Sequence, residues 1–150
     1  MDPLSRWRWS ARGRPIVTMA TMSEPSLHKL AILLWACDPT RPELCATPFF
    51  HAAAAAALDA EVEVYFAARS VLLLVPGCAA ALRASDHDET TIADHMRHAA
   101  DHGAKFLACS SALAAYGLDH AELIANLAGR AGATAFVGRS LDPQWATLTF

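Results

Sequence analysis

The hydrophobic pattern changes character near His28. Every position over residues 30–35 is apolar, with Pro25 before the run and Cys37, Asp38, Pro39 and Thr40 after it. A short, uninterrupted apolar run between turn residues predicts a strand buried on both faces. Thr47 followed by Pro48 marks a helix start, a hydroxyl for capping and then a residue without the N–H that a first turn leaves unused. An alanine-rich helix is expected over 49–58, and its run of alanines at 52–57 permits close approach to a sheet. Val62, Val64 and Phe66 alternate with Glu61, Glu63 and Tyr65, which predicts a second strand whose early part has one polar face, lying near a sheet edge or starting in solvent.

Residues 70–74 and 77–83 read as short helical pieces split by Pro76, and 84–89 as a polar loop. A longer helix is expected over 91–102, closed by Gly103, and a short third strand over 106–108. Cys109 follows that strand directly, with Ser110 and Ser111 as cap-type residues before a helical stretch at 112–116 that Gly117 ends. Asp119 with Glu122 resembles a capping box before a helix at 121–128, whose inner face would hold Leu123, Ile124 and Leu127. Residues 133–137 read as a fourth strand and 146–150 as a fifth. Strands alternating with helices predict an α/β fold: a single-domain three-layer sandwich, its mainly parallel sheet of four to five strands covered by helices on both faces.

Composition sharpens this picture. With 54% hydrophobic residues in 150, the chain can bury one core, and by length it is one domain. Residues 1–24 read as a disordered extension ahead of a domain at 25–150, with Arg6, Arg8, Arg12 and Arg14 set against Asp2 and Glu24. Of the 12 basic and 15 acidic residues in the chain, that leaves eight basic and thirteen acidic in the domain. Basic residues so scattered on an acidic domain argue against a nucleic-acid partner, which needs clustered Lys and Arg. The N-terminus lacks the continuous apolar stretch of a signal peptide and no apolar run is long enough for a bilayer span, so the chain reads as soluble and cytoplasmic, with no membrane partner. Its four cysteines are then expected as free thiols rather than as disulfides.

Open parallel sheets do their chemistry at the carboxyl ends of the strands. The residues expected there are Cys37 and Asp38 after the first strand, with His51 on the next helix, and Arg69 and Ser70 after the second. Cys109 follows the third, and Arg139 and Ser140 follow the fourth. A thiol between a strand end and a helix N-terminus faces unpaired N–H groups that favour the anionic, nucleophilic form, and Arg69 would add a cation if it points inward. Cys109 is therefore the candidate nucleophile, with Arg69, Ser70, Ser110, Ser111, His51 and Cys37 as supporting candidates. The alternative is a small, inert buried thiol.

The segment 106–113, Phe-Leu-Ala-Cys-Ser-Ser-Ala-Leu, with Gly117-Leu118 closing its helix, resembles the DsrE-like sulfur-relay family, in which a cysteine follows the third strand. The resemblance extends in order through 30–35, Leu58-Asp59-Ala60, 61–66, Gly132-Ala133 and the terminal Leu148-Thr149-Phe150, covering residues 28–150. It implies small oligomeric α/β subunits of bacterial type that accept sulfane sulfur as a cysteine persulfide, here on Cys109, and pass it between protein donor and acceptor thiols. No cofactor is implied. It also implies a homo-oligomer, a trimer or hexamer ahead of a dimer. The apolar residues 71–75 are either its contact surface or a loop buried inside the subunit.

Two competing readings remain. Cys37 ends the first strand at the same sheet edge and could resolve or receive sulfur from Cys109, whereas Cys45 and Cys78 read as structural. His95, His98 and His102 share one side of a helix near Asp94 and Asp101, which would suit a zinc site, although a solvated His-rich face is the simpler expectation. The function is thus a sulfur carrier or sulfurtransferase-like protein, or else a non-catalytic oligomeric module of the same fold that binds a ligand or partner at Cys109.

Overall fold

The computed structural model describes residues 28–150, so the expected extension at 1–24 lies outside the described residues. Strands and helices alternate as β1 (Lys29–Leu34), α1 (Thr47–Ala57), β2 (Glu61–Phe66), α2 (Ile92–Asp101), β3 (Lys105–Ala108), α3 (Ser110–Ala115), β4 (Leu127–Arg130), α4 (Ala133–Leu141) and β5 (Trp145–Thr149). The strands form one sheet in the order β4-β3-β2-β1-β5, with every neighbouring pair parallel. Parallel neighbours need crossovers, and the helices supply them.

Alternation along the strands sorts the two faces. Leu30, Ile32 and Leu34 of β1, Val62, Val64 and Phe66 of β2, and Phe106 and Ala108 of β3 join Phe49 and Ala52 of α1 and Met96 and Ala99 of α2 in the main core. The rings of Phe49, Phe66 and Phe106 meet at centroid distances of 6.0, 5.9 and 5.4 Å. Ala52 and Ala53 are buried and let α1 lie close to the sheet. The opposite face is thinner: Ala31, Tyr65 and Trp145 are buried there, with Leu33, Leu107 and Phe136 packed beside them, and α4 covers β1 and β5. The three-layer arrangement matches the expected fold class.

Several local expectations change. β2 is not near an edge but lies between β1 and β3, and Glu63 and Tyr65 on its polar face are buried. The carboxylate is tolerated because Arg139 of α4 grips it with two hydrogen bonds of 2.9 Å. The expected helix at 121–128 and strand at 133–137 exchange character. Leu123, Ile124 and Leu127 do face the core, but from a loop and from β4, where Phe106 pairs with Leu127. The chain must then cross the sheet to reach β5 beside β1, so residues 133–141 form α4 despite the strand-like Thr134, Phe136 and Val137. No capping box forms at Asp119; its carbonyl instead accepts from Arg130 at 2.7 Å. Val71, Leu73 and Leu74 are fully buried inside the subunit, while Leu72 and Val75 are half-buried.

Candidate functional site

β3 ends at Ala108, and Cys109 is the N-cap of α3, with extended backbone at φ −69° and ψ 117°. Two backbone bonds fix it: its N–H donates to Phe66 O at 2.9 Å, and its carbonyl accepts from Leu113 N at 2.9 Å. The first ties it to the end of β2, and the second starts the helix. Next to it, Ala131 N–H donates to Ala108 O at 2.9 Å, which draws the exit of β4 against the exit of β3. α4 begins immediately afterwards at Gly132, whose extended backbone carries no side-chain cap. Cys109 therefore sits at the start of α3 and shares a cavity wall with the start of α4.

That cavity, of about 270 Å³, is lined by Leu33, Tyr65, Ala67, Cys109, Gly132, Phe136 and their neighbours on α4. Its lining is almost wholly apolar. The Tyr65 hydroxyl is spoken for, since it donates to Glu63 Oε2 at 2.5 Å, and burial together with that bond pushes its pKa up to about 12. The thiol of Cys109, a half-buried lining residue, is thus the one nucleophile in the lining not already bonded to another side chain. The backbone turns sharply at the same edge: Ala68, two residues after the end of β2, has φ +47°, a left-handed conformation that is costly for a residue with a Cβ.

Most supporting candidates are placed elsewhere. Arg69 is directed to Asp38, with Nε 2.5 Å from Oδ2, and lies over the Tyr116 ring at 5.8 Å. The backbone N–H of Thr40 and the Arg69 guanidinium hold the Asp38 carboxyl below the usual range. Arg69 thus borders the end of α3 and has no bond to Cys109. Ser70 is fully buried and donates to Leu34 O at 2.9 Å and Ala67 O at 2.6 Å, stitching the ends of β1 and β2. Ser110 and Ser111 are exposed on the first turn of α3, beside Cys109. His51 is exposed; its Nδ1 lies 2.9 Å from Thr47 O and its ring packs on Phe150, so it serves packing on α1 and not the cavity. Arg139 and Ser140 lie on the last turn of α4 rather than after a strand, Arg139 on Glu63 and Ser140 donating to Phe136 O at 3.2 Å.

Cys37 faces the α1 and α2 core, where its thiol donates to Leu44 O at 3.5 Å, and it does not line the cavity that holds Cys109. The three histidines do not converge. His98 and His102 stack on each other at 4.4 Å, while His95 packs on Phe50 at 4.6 Å and reaches Asp88 at 3.6 Å. Among the described residues, no group of three His, Cys, Asp or Glu side chains is placed to hold a metal ion.

The sequence pointed to Cys109 and missed the wall around it. Tyr65, Phe136 and Gly132 line the cavity, and Glu63 with Arg139 fastens α4 over it. The signal lay in the Glu61-Glu63-Tyr65 alternation, which marks a polar face buried against a cation and not a solvated edge.

Comparison with known proteins agrees with this architecture. The model of the DsrE/DsrF-like family matches residues 30–150. Among solved structures, the YchN protein from E. coli is similar at a TM-score of 0.64 and 12% identity, covering 83% of this chain and 99% of its own. MTH1491 from Methanobacterium thermoautotrophicum, described as a protein of unknown function, is similar at a TM-score of 0.56 and 18% identity, covering 82% of this chain and 99% of its own. No curated protein matches the sequence. A parallel five-stranded sheet with a cysteine at the exit of its third strand, and a family match that spans nearly all of the described residues, lead to one conclusion: the chain belongs to the DsrE/DsrF-like family.

Proposed function

We propose that this protein is a cytoplasmic sulfur carrier that accepts sulfane sulfur on Cys109 and passes it to a partner thiol. The observation that carries the reading is the position of Cys109, half-buried at the start of α3 and lining an apolar cavity at the carboxyl edge of the sheet. A helix start presents unpaired N–H groups to an anion, and apolar walls keep water and charged reductants from a bound sulfane sulfur. Sulfur-relay association of the family supports the same reading.

The chemistry needs no resident cofactor. The Cys109 thiolate attacks the outer sulfur of a donor persulfide, the donor S–S bond breaks, the donor leaves as its thiolate, and Cys109 becomes a persulfide. An acceptor thiolate then attacks that outer sulfur and Cys109 leaves as thiolate, so sulfur moves with no net oxidation. Ser110 and Ser111, exposed beside the thiol, are available to a docking partner protein. Incubation with a small persulfide donor should add one sulfur to the intact mass of the wild-type chain and none to Cys109→Ser. No gain in the wild type would favour the second reading, a non-covalent ligand-binding module, which the apolar lining also fits.

The carrier is proposed to act as a homo-oligomer, a trimer or hexamer. α4 has no buried residue; Val137, which also borders the cavity, is 51% exposed, and Leu141, one turn further on, is 79% exposed. Light scattering should give a multiple of the chain mass that falls with Leu141→Glu. A single-chain mass for the wild type would refute the assembly.

A further inference from the structure

The loop between β1 and α1 closes on two cysteines. Cys37 and Cys45 are both buried, at 1% and 0% exposure, while Thr40, Arg41, Glu43 and Leu44 between them are exposed. Their contacts are reciprocal across the neck of the loop. Cys37 Sγ lies 3.5 Å from the carbonyl of Leu44, the residue before Cys45, and Cys45 Sγ lies 3.5 Å from the carbonyl of Asp38, the residue after Cys37. Cys45 Sγ also reaches Arg41 O at 3.6 Å. Each thiol is thus directed at the carbonyl beside the other cysteine, and their mutual influence raises the pKa of Cys37 and lowers that of Cys45, so Cys45 is the more readily ionised of the two.

We propose that Cys37 and Cys45 are a redox-active dithiol that closes an intramolecular disulfide across this loop. The oxidant is a small aliphatic disulfide. Cys45 thiolate attacks one of its sulfurs, the small S–S bond breaks and one small thiolate leaves, giving a mixed disulfide on Cys45. Cys37, losing its proton, attacks the Cys45 sulfur and expels the second small thiolate. The protein loses two electrons and two hydrogens, and the small disulfide becomes two thiols. Opening of the exposed residues 40–44 gives the reagent its access. The loop also carries Asp38, which holds Arg69 against Tyr116 at the end of α3, so the dithiol sits beneath the ion pair that borders the Cys109 edge. The proposal stands independently of sulfur transfer at Cys109.

The test uses the full chain carrying Cys78→Ser and Cys109→Ser, which leaves Cys37 and Cys45 as its thiols. The protein is equilibrated at neutral pH with 2-hydroxyethyl disulfide, then alkylated under denaturing conditions and weighed. The expected product has lost two hydrogens, takes up no alkyl group, and shows 37 joined to 45 in a non-reduced digest. Two alkylated thiols, or adducts of the small thiol on both cysteines, would overturn the proposal. Should circular dichroism show that the double-serine protein is unfolded, the non-reduced digest of the wild-type chain decides. A 37–45 link supports the proposal, and linkage of either cysteine to Cys78 or Cys109, or no link, refutes it.

Discussion

Replacing Arg139 by Met tests how α4 is held over the cavity. Arg139 Nε and Nη2 each bond the Glu63 carboxylate at 2.9 Å, and the guanidinium lies 4.4 Å from the centre of the Trp145 ring. Removing one partner of a fully buried pair costs about 3–5 kcal/mol. Here Glu63 is 8% exposed but Arg139 is 40% exposed, so water compensates part of the loss. We expect about 2 kcal/mol from the pair and about 0.5 kcal/mol from the ring contact, read as a lower urea midpoint at pH 7. The deficit should depend on pH. Burial pushes the Glu63 carboxyl up, but the bonds from Arg139 and Tyr65 bring it below its ordinary value. A depressed folded pKa contributes stability above the unfolded value of about 4.3, and that contribution is lost as pH falls through the folded value. Without Arg139, burial dominates and Glu63 protonates more readily, so the gap between wild type and variant should narrow between pH 7 and pH 4. Adding Glu63→Gln to Arg139→Met should recover at least half of the loss. A deficit below about 0.5 kcal/mol, the range of a neutral surface change, or a gap that stays constant down to pH 4, would refute the reasoning.

Other outcomes follow from local features. Thr91 and Asp94 form a reciprocal capping box on α2, so Thr91→Ala should cost about 1 kcal/mol in chemical denaturation at pH 7. The Thr91 hydroxyl and N–H, with Arg97, hold the Asp94 carboxyl down to about 2, so the wild-type advantage should persist to about pH 4 and fade as pH falls toward 2. Ala68→Gly relieves a left-handed backbone at φ +47° and should raise stability by about 0.5 kcal/mol, net of the extra freedom glycine has when unfolded; a loss in the same denaturation assay would contradict the strain. Brief alkylation at neutral pH followed by peptide mapping should label Cys109 ahead of Cys37 and Cys45, which are buried, and ahead of Cys78, whose pKa burial raises.

The parts of the fold legible in the sequence were those in which local pattern and tertiary demand agree. The apolar run of β1, the Thr47-Pro48 start of α1 and the Thr91 cap of α2 each carry their own signal, and each element formed within a residue or two of its expected bounds. The stretch from 119 to 141 was misread because its pattern is ambiguous. Leu123, Ile124 and Leu127 fit a helix face, and Thr134, Phe136 and Val137 fit a strand, yet pairing of Leu127 with Phe106 and the need to cross to β5 decide otherwise. Cys109 was legible because strand exit and helix start adjoin in sequence. Arg69, Ser70 and Cys37 also follow strand ends and His51 lies on the next helix, but sequence does not say where a side chain turns, and Arg69, Ser70, His51 and Cys37 are held here by nearer partners, in turn Asp38, Leu34 O, Thr47 O and Leu44 O. The cavity wall was invisible because it joins residues as distant as Leu33 and Phe136.

The central claim is tested most directly by following one sulfur atom through the protein. Wild-type chain is loaded from a small persulfide donor, freed of excess donor, and mapped by peptide fragmentation before and after addition of an acceptor thiol. An added sulfur is expected on the peptide containing Cys109, removed from it by the acceptor and recovered as acceptor persulfide. Sulfur found on Cys37, Cys45 or Cys78 with Cys109 unmodified, or sulfur on Cys109 that no acceptor thiol removes, would contradict it.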